Sequence, residues 1–228
     1  MQFLKQKLIE LNIYNNKSKE LMFNNYYNLL VESNKTINLT TIVDKNEVEV
    51  KHFIDSISAY KFLNGEILDI GAGAGFPSIP LAIISEDFKF TLVESVGKKA
   101  KFLIKLVEYL KIKNVKIKNC RIENLEFFKY DTVVARAVAP LNTLIEYSLP
   151  FLKLGGILIA YKGANYKEEL NSADNALKIL GGELEKIEKY NLEIDGQVQE
   201  RALVIIKKIL ETDNKYPRSG NKPRLKPL

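Results

Sequence analysis

Residues with chemical potential lie in short polar segments that follow apolar runs. Residues 66–75 read Glu-Ile-Leu-Asp-Ile-Gly-Ala-Gly-Ala-Gly. The apolar run stops at glycine, as a buried parallel strand does. Gly71, Gly73 and Gly75 allow a tight turn whose backbone approaches a ligand closely. A second apolar run, residues 90–93, ends on the carboxylate of Glu94. Strand, glycine turn, helix, strand and terminal acid make the nucleoside-binding half of a doubly wound sheet, in which the acid takes ribose hydroxyls. Beyond these, Arg121, Arg136 and Lys162 each follow an expected strand, and Arg201 opens the apolar run of a later one. Cations at strand ends can orient a substrate by charge-assisted hydrogen bonds. His52 is the only histidine and Cys120 the only cysteine. They leave no ligand set for a metal, and no nucleophile–base pair is visible.

The type of nucleoside turns on one position. The dinucleotide fingerprint places a third glycine where this chain has Phe76, followed by Pro77. A bulky aromatic crowds a pyrophosphate but can wall an adenosine. Asp69, just inside the strand end, repels phosphate and suits a cationic ligand. Together these choices favour S-adenosylmethionine over a nicotinamide dinucleotide.

The elements that position these groups follow from periodicity. Residues 3–11 and 21–31 read as amphipathic helices, a helical cap over one edge of the sheet. Asp44 to Glu47 reads as a capping box opening a helix that carries His52 and runs to about Leu63. After the glycine turn come a helix to Ile84, the strand 90–94 and a helix over 98–110. Strands at 115–119 and 132–135, a helix over 141–152, a strand at 157–161 and a helix over 166–180 continue the alternation. Strands 183–194 and 202–208 meet across Asp195-Gly196, a hairpin turn dipeptide. Parallel alternation closing in an antiparallel hairpin is the plan of a seven-stranded α/β sheet, doubly wound and Rossmann-like, with an N-terminal helical extension. The expected division is 1–45 for the extension, 46–212 for the methyl-transfer domain and 213–228 for a basic tail.

Composition sets the bounds. A chain of 228 residues with 46% hydrophobic and 27% charged residues suits one α/β domain. No apolar run approaches a membrane span, the N-terminus alternates charge too early for a secretory signal, and a lone cysteine suits a reducing compartment. The expectation is a cytoplasmic monomer without membrane or metal partners. A net charge of +6 suits a polyanionic partner. Residues 215–228 carry three prolines, five basic residues and no acid. That segment is expected to stay extended until a polyanion orders it.

These residues together resemble a known family, the small-subunit ribosomal RNA guanine-N7 methyltransferases, long called glucose-inhibited division protein B. The matching stretches are Asn38-Leu-Thr40, His52-Phe-Ile-Asp-Ser56, Asp69-Ile-Gly-Ala-Gly-Ala-Gly-Phe-Pro77, Glu94-Ser95 and Gly97-Lys-Lys. Further matches are Phe102-Leu103, Arg121-Ile-Glu123, Ala135-Arg-Ala137, Lys162-Gly163, Glu200-Arg201 and the tail from Lys215 to Leu228. The resemblance implies a bacterial enzyme that moves a methyl group from S-adenosylmethionine to N7 of a specific guanine in 16S rRNA (conventional position 527), with the small ribosomal subunit as partner. By motif, Gly71, Phe76, Ile122, Glu123 and Arg136 contact the methyl donor, alongside Gly73, Gly75 and Glu94. Arg121, Arg136, Lys162 and Arg201 position substrate, with no general base. Ala202 departs from the pattern, standing where a histidine commonly follows the arginine.

Other readings stay open at this point. A nicotinamide-dependent dehydrogenase needs room for a pyrophosphate beside Phe76. A methyltransferase acting on another RNA, a protein or a small molecule shares the same sheet. A non-catalytic RNA-binding protein would have little need of Gly71, Gly75 and Glu94 together.

Overall fold

The computed structural model describes residues 1–13 and 16–228. Helices α1 (Gln2–Glu10) and α2 (Lys17–Asn34) open the chain, and the Asn16 side chain caps α2 by accepting from the Lys19 amide at 2.9 Å. Next is one helical run of α3 (Lys45–Val48), a π turn (Glu49–Ile54) and α4 (Asp55–Ile57). Strand β1 (Glu66–Ile70), α5 (Ser78–Ile84), β2 (Lys89–Val93), α6 (Gly97–Tyr109), β3 (Val115–Lys118) and β4 (Tyr130–Arg136) follow. The chain continues through α7 (Leu141–Ser148), β5 (Leu152–Lys162), α8 (Tyr166–Asn171), α9 (Asp174–Leu180), β6 (Gly182–Ile194), β7 (Gln197–Lys208) and α10 (Lys222–Leu225).

The seven strands form one sheet in the order β3-β2-β1-β4-β5-β7-β6. β1 to β5 pair in parallel, and β7 is antiparallel to both its neighbours. The direction of winding reverses between β1 and β4, so a crevice opens beyond their carboxyl ends. Alternate residues along each strand feed the two faces. On one side Ile67, Leu92, Val134 and Ile159 join α2, α5 and α6 through Phe23, Tyr26, Ile79 and Phe102. On the other, Leu68, Val93, Val133 and Leu158 join α7 and α9 through Leu144, Ile145, Leu177 and Leu180. No described helix is long and apolar enough to cross a membrane.

Four local expectations change. Of the N-terminal helices expected over a sheet edge, α2 packs instead on α5 and α6, with Phe23, Tyr26 and Leu30 buried in the shared apolar cluster. Helix α1 lies on the π turn and shares a recess with the edge strand β6. Half of the capping box forms. Asp44 accepts from the amides of Asn46 and Glu47, but Glu47 turns to Lys51 one turn on, where a cation is in reach. The helix expected over residues 166–180 breaks after Asn171 into α8 and α9.

The tail departs most. Arg218 donates from Nε (2.9 Å) and Nη2 (2.6 Å) to the two oxygens of Glu146, which is wholly buried on α7. The segment beyond folds back as α10, with Pro223 buried and its carbonyl accepting from Thr143 Oγ1 at 3.1 Å. A buried carboxylate needs a partner, and this one takes it from the tail. The segment is therefore docked, where an extended arm was expected.

Candidate active site

At the carboxyl end of β1 the glycine turn folds over the end of β2. The Gly71 amide donates to the Val93 carbonyl at 2.9 Å. Glu94 accepts from Gly73 N through Oε2 at 2.8 Å and from Val96 N through Oε1 at 2.7 Å. Gly71 has φ +71° and Gly75 φ +103°, conformations that strain other residues. A Cβ at Gly71 would come within 2.9 Å of Val138, and one at Gly75 within 2.7 Å of Ile79 and the Tyr26 hydroxyl. The turn thus lies as close to its neighbours as backbone allows.

Two recesses lie at this end of the sheet, the smaller of them touching the turn at Gly71. A narrow slot of about 110 Å³ is lined by Gly71, Val93, Ile122, Glu123, Val138, Tyr147, Arg121 and Arg224, among others. Glu123 is buried at its base, with Arg121 Nε 2.8 Å away but off the hydrogen-bond axis. Cys120, the lone cysteine, is half-buried in the slot's lining. The wider cleft, about 530 Å³, is lined by His52, Asp55, Arg136, Val138, Lys162, Glu169 and Arg201 with their neighbours. Val138, just past the end of β4, borders both.

The cleft's cations are held to different degrees. Arg136 donates from Nη1 to Asp55 Oδ2 at 2.7 Å and to the Lys51 carbonyl at 3.1 Å. Its Nη2 meets His52 Nδ1 at 3.1 Å. Its guanidinium also lies 4.9 Å from the centre of the Phe76 ring, a cation–π distance. Lys162 donates to Glu169 at 2.6 Å and to the Ala139 carbonyl at 2.9 Å. Arg201 is the least tied: it donates to Gln199 at 3.1 Å, and its Nε stands 3.9 Å from Asp55 Oδ1. Asp55 Oδ1 instead takes the Tyr190 hydroxyl at 2.7 Å.

Burial and the Arg136 charge push the His52 imidazole down to about 3, so it is neutral at physiological pH. Burial lifts Asp69 the other way, to about 7. Ser78 is near enough to temper that shift, yet neither Asp69 oxygen closes a hydrogen bond. Asp69 is fully buried and lines neither recess, so it does not face a cationic ligand directly.

Of the residues singled out from sequence, Arg136, Lys162 and Arg201 share the wide cleft, while Arg121 stands in the slot with Ile122 and Glu123. Phe76 enters neither lining. It is buried, stacked on His52 at 4.5 Å between ring centres and on Tyr26 at 5.3 Å. Asp55, Glu169, Tyr190 and Arg224 were missed. Asp55 had a signal, since it follows His52 by one helical turn; the others had none.

A family model described as rRNA small subunit methyltransferase G matches residues 19–203. Proteins named ribosomal RNA small subunit methyltransferase G are 42% identical to the chain in Desulforamulus reducens, over 99% of this chain and 97% of that protein, and in Staphylococcus carnosus, over 100% and 98%. The chain belongs to this family. Among solved structures, M. jannaschii TYW2 in complex with AdoMet superposes with a TM-score of 0.54 at 18% identity, over 68% of this chain and 77% of that one. A Thermotoga maritima S-adenosylmethionine-dependent O-methyltransferase does so with 0.53 at 17%, over 81% and 73%. At such identities these two show the fold alone: the seven-stranded methyltransferase sheet expected from the alternation. As a member of the rRNA small subunit methyltransferase G family the chain is an S-adenosylmethionine-dependent rRNA methyltransferase.

The turn fits that donor. A carboxylate offers about four lone-pair positions. Glu94 gives two to backbone amides, which leaves one on each oxygen for a ligand hydroxyl to use, although the residue is buried and lines neither recess.

Proposed function

We propose that this chain methylates N7 of a specific guanine in bacterial 16S rRNA, acting in the cytoplasm as a monomer on the small ribosomal subunit or its RNA. The observation that carries this reading is the wide cleft itself, which gathers Arg136, Lys162 and Arg201 around a histidine that is held neutral and occupied by Arg136. Such a site orients a substrate, since its carboxylates Asp55 and Glu169 are already paired with Arg136 and Lys162.

Guanine N7 has an in-plane lone pair and no proton, so its attack requires no base. When bound, S-adenosylmethionine supplies the electrophilic methyl group. Gly71, Gly73, Gly75, Glu94, Ile122 and Glu123 would hold its nucleoside half, and Arg136, backed by the buried Phe76 ring, its amino-acid half. Residues 1–45 serve as a packed extension of the domain over 46–212. Positioning then dominates the rate. A cation bonded to N7 would block attack, so Lys162 and Arg201 belong on O6 or phosphate oxygens. N7 lies in the deep, narrow groove of an A-form helix, so the target sits in an unpaired or distorted loop.

The test incubates the protein with labelled donor and small subunits lacking the modification, then maps the labelled base. Label on one guanine of 16S rRNA, removable by cleavage specific for 7-methylguanine, is the expected result. Label only on protein or a small molecule overturns it.

A further inference from the structure

The tail's charge is largely engaged within the chain. Arg218 pairs with Glu146 and also donates to the Lys226 carbonyl at 2.8 Å. Lys215 pairs with Asp213 at 3.0 Å. Asn221 accepts from Arg121 Nη2 at 2.8 Å, and Arg224 donates to the Val138 carbonyl at 3.2 Å. Leu228, at the far end, packs on the same apolar cluster as α7. The segment is thus pinned on both sides of α10, and Arg224 between the pins lines the narrow slot opposite Ile122 and Glu123. The family model ends at residue 203, so nothing in that match accounts for this placement.

We propose that residues 221–226 form the outer wall of the nucleoside slot, with the planar Arg224 guanidinium as the face against which the purine ring of the methyl donor lies. This rests on reading the slot as the site of the donor's nucleoside half. A guanidinium stacks on aromatic rings, whereas a lysine ammonium is a point charge without a face. Arg224 is anchored by the Val138 carbonyl, and Tyr147 lines the slot beside it. At about 110 Å³ the slot is well short of the ~300–1,000 Å³ that encloses a whole small-molecule ligand. It suits one flat ring, with the rest of the ligand passing Gly71 and Val138 into the wide cleft. The basic tail is therefore part of the donor site, where its composition alone suggested an arm for RNA.

The test uses the full chain with Arg224→Ala and Arg224→Lys, titrated calorimetrically with S-adenosylhomocysteine and separately with small-subunit rRNA. Arg224→Ala should weaken S-adenosylhomocysteine binding about tenfold, the size of a stacked cation–π contact. Arg224→Lys should restore little of it, and RNA affinity should be unchanged. Independently of any variant, S-adenosylhomocysteine should slow amide exchange across residues 219–226 of the unaltered chain. Unchanged or tighter S-adenosylhomocysteine binding in Arg224→Ala, loss of RNA affinity in its place, or unaltered exchange in the tail would overturn the proposal while leaving the methyl-transfer reading intact. An unaltered chain that does not bind S-adenosylhomocysteine at all would overturn both.

Discussion

Arg136 Nη2 lies 3.1 Å from His52 Nδ1, and a guanidinium can only donate. The Lys51 carbonyl, 3.2 Å from Nδ1, already accepts from Arg136 Nη1, so Nδ1 keeps its lone pair for Nη2 and the ring proton goes to Nε2, 2.8 Å from Thr40 Oγ1. The buried imidazole thus links the loop before α3 to the end of β4 in a single tautomer, and protonation would set two cations against each other.

This gives a pH dependence whose sign follows from linkage. Folded His52 titrates near 3 and the unfolded residue near 6.5, so the unfolded chain binds more protons between those values. Its contribution is full above about pH 6.5 and is lost as pH falls from there toward 3, at no more than about 1.4 kcal/mol per unit. Urea unfolding from pH 7 to 4 should show this loss, and His52→Gln should flatten that part of the curve. The methylation rate should show no histidine limb between pH 6 and 8; one that disappears in His52→Gln would contradict the neutral assignment.

Asp69 works in the opposite direction. Its folded pKa is raised to about 7, so stability is full below about pH 4 and is lost as pH rises through 7. Asp69→Asn removes the charge without changing shape. Thermal unfolding should show it more stable than the parent at pH 8, by about 1–3 kcal/mol, because the variant keeps a buried polar group but not the buried charge. At pH 5 the advantage should shrink.

The Arg218–Glu146 pair is a structural one. Arg218→Ala leaves a fully buried carboxylate without a counter-charge, with only the residue 218 amide donating to it, and should cost about 3 kcal/mol of unfolding free energy. Adding Glu146→Leu should recover most of that loss. Equal stability of Arg218→Ala and the parent in denaturant titration would mean that the tail is not docked in solution.

Tyr190 divides Asp55 between its partners. With its hydroxyl on Oδ1, Arg201 stays 3.9 Å away; removing that hydroxyl should let Arg201 close on the carboxylate. Tyr190→Phe should raise KM for RNA about threefold to tenfold, the scale of one hydrogen bond, and leave S-adenosylhomocysteine affinity unchanged. The reverse pattern, weakened donor and intact RNA, would show that Tyr190 acts through Arg136 instead.

What the linear chain determined by itself is whatever short-range physics governs. Apolar runs stopping at Gly71, and at Glu94, defined β1 and β2 with their exits, because strand burial and positive φ are properties of neighbouring residues. The Asp195-Gly196 turn announced the β6–β7 hairpin in the same way. Which polar groups meet was decided by tertiary structure alone. Arg136 and Asp55 are 81 residues apart and Arg218 and Glu146 are 72 apart. Nothing local in either sequence neighbourhood distinguishes a paired cation from a solvated one. The tail shows the difference most clearly: proline and charge predict an extended arm, but one buried carboxylate on α7, unable to remain unpartnered, draws it against the slot.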